Sequence, residues 1–216
     1  MKLNQKPKVI SISNQKGGVG KTTTAVNLAT ALAAVNKKVL VLDLDPQGNA
    51  TVSFGVERKN VPKNMYRVLM GEEMLSSAIV WTKIPNLSVV ASSRDLAGVD
   101  YDLSNRASPQ FFLKKAIEQN QLSYDYVFID CPPAVGMLTV NALVASNSVI
   151  VPVQCEYLAL EGLADLLKTI ERVKKNFNSG LNLQGILLTM FDGRTGLSEG
   201  VAQEDQCRHC VGKEWR

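Results

Sequence analysis

Gln15-Lys16-Gly17-Gly18-Val19-Gly20-Lys21-Thr22-Thr23 is the stretch from which the fold can be read. It follows an apolar run, Val9-Ile10-Ser11-Ile12-Ser13, that reads as a buried strand. It precedes a helical pattern in which Ala25, Leu28, Ala29 and Leu32 recur at i, i+3, i+4 and i+7. Strand, glycine-rich turn and helix start are the setting of a phosphate-binding loop. The glycines open backbone angles closed to other residues, so successive N–H groups can turn inward around an anion. The helix N-terminus adds partial positive charge at the same point. Lys21 would bring a full charge to the β and γ phosphates, and the Thr22 hydroxyl would ligate the magnesium that travels with them. Residues Lys16, Gly17, Gly18, Val19, Gly20, Lys21, Thr22 and Thr23 are therefore the candidate nucleotide contacts.

The loop departs from the standard pattern in one place. Gln15 stands where a glycine is expected five residues before Gly20, and a second lysine, Lys16, opens the loop. The form Lys-Gly-Gly-Val-Gly-Lys-Thr resembles the deviant Walker A motif of the ParA/MinD ATPases.

Composition is that of an ordinary globular chain: 216 residues, 45% hydrophobic and 20% charged. One sizeable core is expected. No apolar run approaches the roughly 20 residues of a membrane span. Met1-Lys2-Leu3-Asn4-Gln5-Lys6 has no apolar segment behind its lysines, so a signal peptide is not expected and the cytosol is. Four cysteines do not suggest a disulfide scaffold, and a net charge of +4 fits an acidic partner without requiring one.

Downstream, Lys38-Val39-Leu40-Val41-Leu42-Asp43 reads as a second buried strand running into Leu44-Asp45-Pro46-Gln47-Gly48. A parallel sheet delivers carboxylates to its C-terminal edge in this way. A carboxylate beside a triphosphate is repelled unless it handles magnesium or water, so Asp45 is a candidate for metal binding and for orienting the attacking water. Asp43 reads as a strand-end residue that bonds nearby backbone or supports the metal from behind. Tyr124 to Asp130 is a third such strand, and four apolar or aromatic residues before Asp130 match a Walker B pattern, a magnesium-holding carboxylate. Cys131-Pro132-Pro133 makes a stiff exit into a helix from Met137 to Ala145. Further helices are expected at 64–70, at 72–80, from Ser108-Pro109 (with the Ser108 hydroxyl as cap) to about 120, and from about 158 to 176. Further strands are expected at 87–91, 148–153 and 183–189. Arg58, Lys59, Lys63 and Arg67 read as a solvated basic face, and Trp81 as a packed side chain. The alternation of strand and helix gives an α/β fold, a mostly parallel central sheet with helices on both faces.

The resemblance extends further. Asp43-Leu44-Asp45-Pro46-Gln47-Gly48-Asn49-Ala50-Thr51 is similar to the switch I segment of ParA-like chromosome and plasmid partitioning ATPases, and Asp192-Gly193-Arg194-Thr195 resembles a loop that lies near the adenine in that family. It covers roughly residues 8–197, taken as one P-loop NTPase domain over 1–197. It implies a magnesium- and ATP-dependent ATPase with Lys21, Asp45 and Lys16 as catalytic residues. Thr22, Asp45 and Asp130 would be at the metal, and Pro46, Gln47, Pro132 and Pro133 in the two switches. Lys16 would reach into the site of a second copy, making ATP a dimerisation switch. A ParB-type partner, non-specific DNA and hence the nucleoid are the implied associates, and no membrane is expected.

Residues 198–216 fit none of the family's C-terminal pattern, so the chain is expected to be truncated or altered there, with turnover impaired. The family's DNA surface draws on basic residues of that region, so the departure counts against DNA contact. Cys207, His209 and Cys210 fall one ligand short of a zinc site. Three other readings remain beside the main one: a MinD-like membrane-positioning ATPase, an iron–sulfur reductase, whose cluster-cysteine pattern Cys131 and Cys155 do not match, and an inactive remnant.

Overall fold

A computed structural model describes residues 6–120, 122–155, 159–192 and 194. The expectations for Gly193, Thr195 and the segment 198–216, zinc included, lie outside the described residues.

The apolar runs form strands β1 (Lys8–Ile12), β2 (Val39–Asp43), β3 (Ile79–Trp81), β4 (Leu87–Val90), β5 (Tyr126–Asp130), β6 (Ser148–Gln154) and β7 (Asn182–Thr189). They make one seven-stranded sheet in the order β3-β4-β2-β5-β1-β6-β7. Every pairing is parallel except β3 with β4. The chain leaves β1 for β2 on one side and later passes to β6 on the other. A parallel sheet wound this way leaves a crevice at its C-terminal edge where the direction of winding changes.

Side-chain alternation shows why both faces must be covered. Val9, Leu40, Leu42, Val127 and Ile129 enter one core cluster, while Ile10, Ile12, Val39, Val41 and Phe128 enter another on the opposite face. The first face is closed by α3 (Met65–Met70), α4 (Val99–Leu103), α5 (Phe112–Gln119) and α6 (Met137–Ala145), which contribute Met65, Leu69, Leu103, Leu113 and Ala142. The second is closed by α1 (Lys21–Ala34) and the short α2 (Asn49–Ser53), through Ala25, Ala29, Ala33 and Ala50. A third cluster joins Val149, Val151 and Val153 to Leu163, Leu166, Ile170 and Val173 of α7 (Ala159–Asn176). α7 thus buries the stripe its spacing requires, and Lys174 and Lys175 stand in its last turn, where the helix dipole favours cations.

Several local expectations are corrected. Residues 72–80 are not a helix. A single 3-10 turn at Leu75–Ala78 leads into β3, because pairing with β4 wins over local helix propensity. β3 is an edge strand, and Trp81 on it is 76% exposed rather than packed. Ser108 makes no capping bond. It sits at φ 55 ahead of a 3-10 turn, and Asn141 Oδ1 accepts instead from the backbone N–H of Leu113 at 3.1 Å. In α1 the buried stripe runs through Thr24, Ala25, Ala29 and Ala33, while Leu28 is 36% exposed. Small residues let the helix lie close to the sheet, which turns the larger Leu28 outward. The basic cluster is a solvated face at three of its four residues, with Arg58 the exception. Lys59, Lys63 and Arg67 pair with Glu57, Glu73 and Glu72, whereas Arg58 turns to the backbone of Pro46.

Ala29→Leu should therefore lower stability by about 1–3 kcal/mol through overpacking, and Leu28→Ala should cost well under about 1 kcal/mol. Urea titration of both variants measures the difference.

Candidate functional site

Three adjacent strands end at one crevice. β1 runs into the glycine loop, β2 into Asp43 and Asp45, and β5 into Asp130. Parallel register sets Asp130 beside Ile12 on one side and Asp43 on the other. The sheet itself gathers the predicted loop and acids.

The loop is held from outside. Asn14 donates to the Pro152 carbonyl at 2.6 Å, and its Oδ1 accepts from the Lys16 N–H at 3.0 Å. Gln15, the departure from the standard motif, donates to the Gly162 carbonyl in α7 at 2.7 Å. Thr189 at the end of β7 donates to the Val19 carbonyl at 2.9 Å and lies against Gly20. Gly18 and Gly20 take φ of 75 and 87, and at Gly18 a side chain would meet open space. Glycine is needed there for the backbone turn rather than for clearance. The open side is the concavity a polyphosphate would fill. Gly20 also opens α1, and its carbonyl accepts from the Thr24 N–H at 2.8 Å.

Within the cradle the Lys21 ammonium donates to the Lys16 carbonyl at 2.8 Å. Burial pulls its pKa below the usual lysine value, against the opposing pull of Asp130. Thr22 donates to Asp130 Oδ2 at 2.7 Å, while the buried Oδ1 has no partner among the described residues. Burial pushes Asp130 up to about 7, the Asp43 charge adds to this, and the Thr22 bond opposes it. Burial raises Asp43 to about 6, against bonds donated by Thr51 and the Asp45 N–H. Asp43 thus does what a strand-end acid was expected to do, bonding nearby backbone. Lys16 is half-buried and Thr23 exposed.

Asp45 is buried, its Oδ1 accepting from the Gln47 N–H at 2.9 Å and its carbonyl from the Gly48 N–H at 2.8 Å. Ser92, just beyond β4, donates to the same carbonyl. After β5, Pro132 is buried and Pro133 exposed, and the Ala134 N–H returns to the Pro132 carbonyl at 2.9 Å. Asp100 in α4 accepts from the Met137 N–H at 3.0 Å, the first N–H of α6. Sequence reading missed Ser92 and Asp100. Ser92 was open to the same strand-end logic that singled out Asp45. Nothing local marks Asp100, which meets α6 only in the folded chain.

The donor set suits a hard cation arriving with an anion. A hydroxyl and a carboxylate with an unsatisfied buried oxygen are oxygen ligands of the kind magnesium takes, with phosphate oxygens and water filling the rest. Among the described residues no three His, Cys, Asp or Glu side chains gather to hold a metal by themselves. Cys131 and Cys155 are both buried, and burial pushes the Cys131 thiol well up, which suits neither cluster ligation nor redox work. No described helix is long and apolar enough to cross a membrane.

A family model described as an AAA domain matches residues 7–183. The sporulation initiation inhibitor protein Soj of Bacillus subtilis is 49% identical over 197 residues, 91% of this chain and 78% of that protein. The chromosome partitioning protein ParA of Caulobacter vibrioides is 49% identical over 199 residues, 91% of this chain and 74% of its own length. Among solved structures, cobyrinic acid a,c-diamide synthase from Mycobacterium smegmatis with bound ADP and magnesium superposes with a TM-score of 0.90 at 38% identity. That match covers 97% of this chain and 85% of the other.

The acid pair sets a pH dependence. An unfolded chain ionises Asp130 near 3.8 and the folded chain near 7, so ligand-free stability should fall as pH rises through that window. Asp130→Asn should therefore stabilise the ligand-free protein at pH 8 by about 1–3 kcal/mol and lose that advantage below about pH 4. Thermal melts of both proteins across pH measure this.

Proposed function

The chain belongs to the Soj/ParA family of chromosome-partitioning ATPases, and we propose that it hydrolyses ATP with magnesium as a dimerisation switch. The observation that carries the reading is the meeting of Lys21, Thr22, Asp130 and Asp45 at the C-terminal ends of three neighbouring strands around an open glycine loop. The polyphosphate would lie in the loop against its N–H groups and the start of α1. Lys21, which rests on the Lys16 carbonyl, would exchange that bond for β and γ oxygens. Thr22 and Asp130 would hold magnesium, which when bound neutralises phosphate charge during transfer. Asp45 would align the attacking water and take part at the metal's edge. Its buried carboxylate is fixed from below by the Gln47 N–H, which supports an orienting role.

Lys16 would act in the partner's site, where a cation supplied from outside offsets transition-state charge as an arginine finger does. Hydrolysis would then wait on assembly. Pro46 and Gln47 on one side, and Pro132 and Pro133 on the other, would flank the γ-phosphate end and carry its presence to the dimer face. The ATP dimer would bind DNA non-specifically, and a ParB-type protein would stimulate hydrolysis and release. Segregation of chromosome or plasmid DNA is the role this cycle serves.

Lys21→Ala should weaken MgATP binding by about 100-fold or more, the loss of a buried charge-assisted contact. Isothermal titration measures it, and retained tight binding would contradict the loop assignment. Lys16→Ala should bind MgATP but stay monomeric with it in size-exclusion chromatography. Asp45→Ala should form the ATP dimer and lose turnover by about 100-fold or more. A normal rate in that variant would remove Asp45 from the reaction.

A further inference from the structure

Asp45 is useful to the reaction only if the turn that follows it keeps its carboxylate in place. That turn, Asp45 to Gly48, has two bonds of its own and one from Ser92. Pro46 has no N–H, which leaves its carbonyl as its one backbone hydrogen-bonding group. Arg58 meets it, donating from Nη1 at 2.7 Å.

The rest of the same side chain covers the turn. A Cβ built on Gly48 would lie 2.6 Å from Arg58 Cδ, 2.7 Å from Nη1 and 2.9 Å from Cζ. Gly48 also sits at φ 68, which favours glycine, and the Arg58 side chain lies close over it. Arg58 is thus packed on one residue of the turn and bonded to another. It comes from a separate 3-10 turn, Arg58–Asn60, beyond α2.

Its neighbours behave otherwise. Lys59, Lys63 and Arg67 each face a glutamate at the surface. Among the described residues Arg58 has no carboxylate partner. The guanidinium lines a groove of about 360 Å³ shared with Pro46, Gln47, Arg94 and Ala97. A charged donor makes a stronger bond to a carbonyl than a neutral one.

We infer that Arg58 is a positioning residue for hydrolysis. It clamps the Pro46 carbonyl and the Gly48 backbone so that Asp45 is presented to the γ-phosphate, and it touches no substrate itself. The inference rests on the reading of Asp45 as the water-orienting acid.

The test uses the full chain with Arg58→Ala, Arg58→Met and Arg58→Lys, and Lys59→Ala as a control for loss of surface charge. Steady-state MgATP turnover and amide hydrogen exchange over residues 46–51 are measured on each. Arg58→Met keeps an apolar stem over Gly48 but has no donor, which separates the bond from the packing. In Arg58→Ala and Arg58→Met, kcat should fall about tenfold, the scale of one charge-assisted bond, with KM within about twofold. Exchange over 46–51 should quicken by about the same factor. Arg58→Lys should recover part of both effects, and Lys59→Ala should match the parent. Unchanged exchange in Arg58→Met would overturn the clamp. Faster exchange with unchanged kcat would leave the clamp in place and overturn its link to Asp45. Loss of turnover in Asp45→Ala alone would then show that the underlying reading still stands.

Discussion

Buried like charge is the constraint around which the rest is arranged. Parallel pairing of β2 with β5 places Asp43 beside Asp130, both wholly buried. Burial and the Asp43 charge hold Asp130 up near 7, and burial, with a smaller push from the Asp45 charge, holds Asp43 near 6. The chain relieves this unequally. Asp43 receives bonds from the Thr51 backbone and hydroxyl and from the Asp45 N–H. Among the described residues Asp130 receives only the Thr22 hydroxyl and keeps one oxygen unpaired. One acid is therefore structural, tying α2 to the end of β2, and the other remains short of positive charge.

Much of this was readable before folding because it is local in sequence. A strand that ends in an acid, or in glycines and Lys-Thr, carries its own geometry, and parallel pairing aligns the ends. What could not be read depends on neighbours distant in sequence. Gln15 stood out as an exception, yet only the fold shows it holding the Gly162 carbonyl, 147 positions away. Residues 72–80 have helical composition but lie where β4 offers an open edge, and sheet bonds decide the outcome. Trp81 reads as a packed side chain, but an edge strand leaves it exposed. The basic run from Arg58 to Arg67 hid one residue with a separate contact, since charge pattern does not say which cation meets a carbonyl.

The supports of the glycine loop follow one plan. Asn14, Gln15 and Thr189 come from the ends of β1 and β7, and each bonds a backbone carbonyl: Pro152, Gly162 and Val19. Of these carbonyls only that of Val19 belongs to the loop; the bonds of Asn14 and Gln15 fasten the loop's start to β6 and α7. Flexible glycines alone would lose that order to entropy, and a loop free to collapse would bind phosphate poorly. Fixing the loop from three elements moves this ordering cost from the binding step to the folding step, where the three core clusters offset it.

The same accounting explains why an arrangement that costs stability persists. Lys21 is buried and held on a backbone carbonyl, not on the acids beside it, so neither it nor Asp130 is fully satisfied in the free protein. A fully paired Lys21–Asp130 bridge would be more stable and would leave nothing for a phosphate and its cation to gain. Because each keeps unused bonding capacity, a ligand carrying both signs of charge stabilises the folded state through groups that burden it when empty. The lysine, the hydroxyl and the acid have to be judged together, since removing any one changes what the other two can offer.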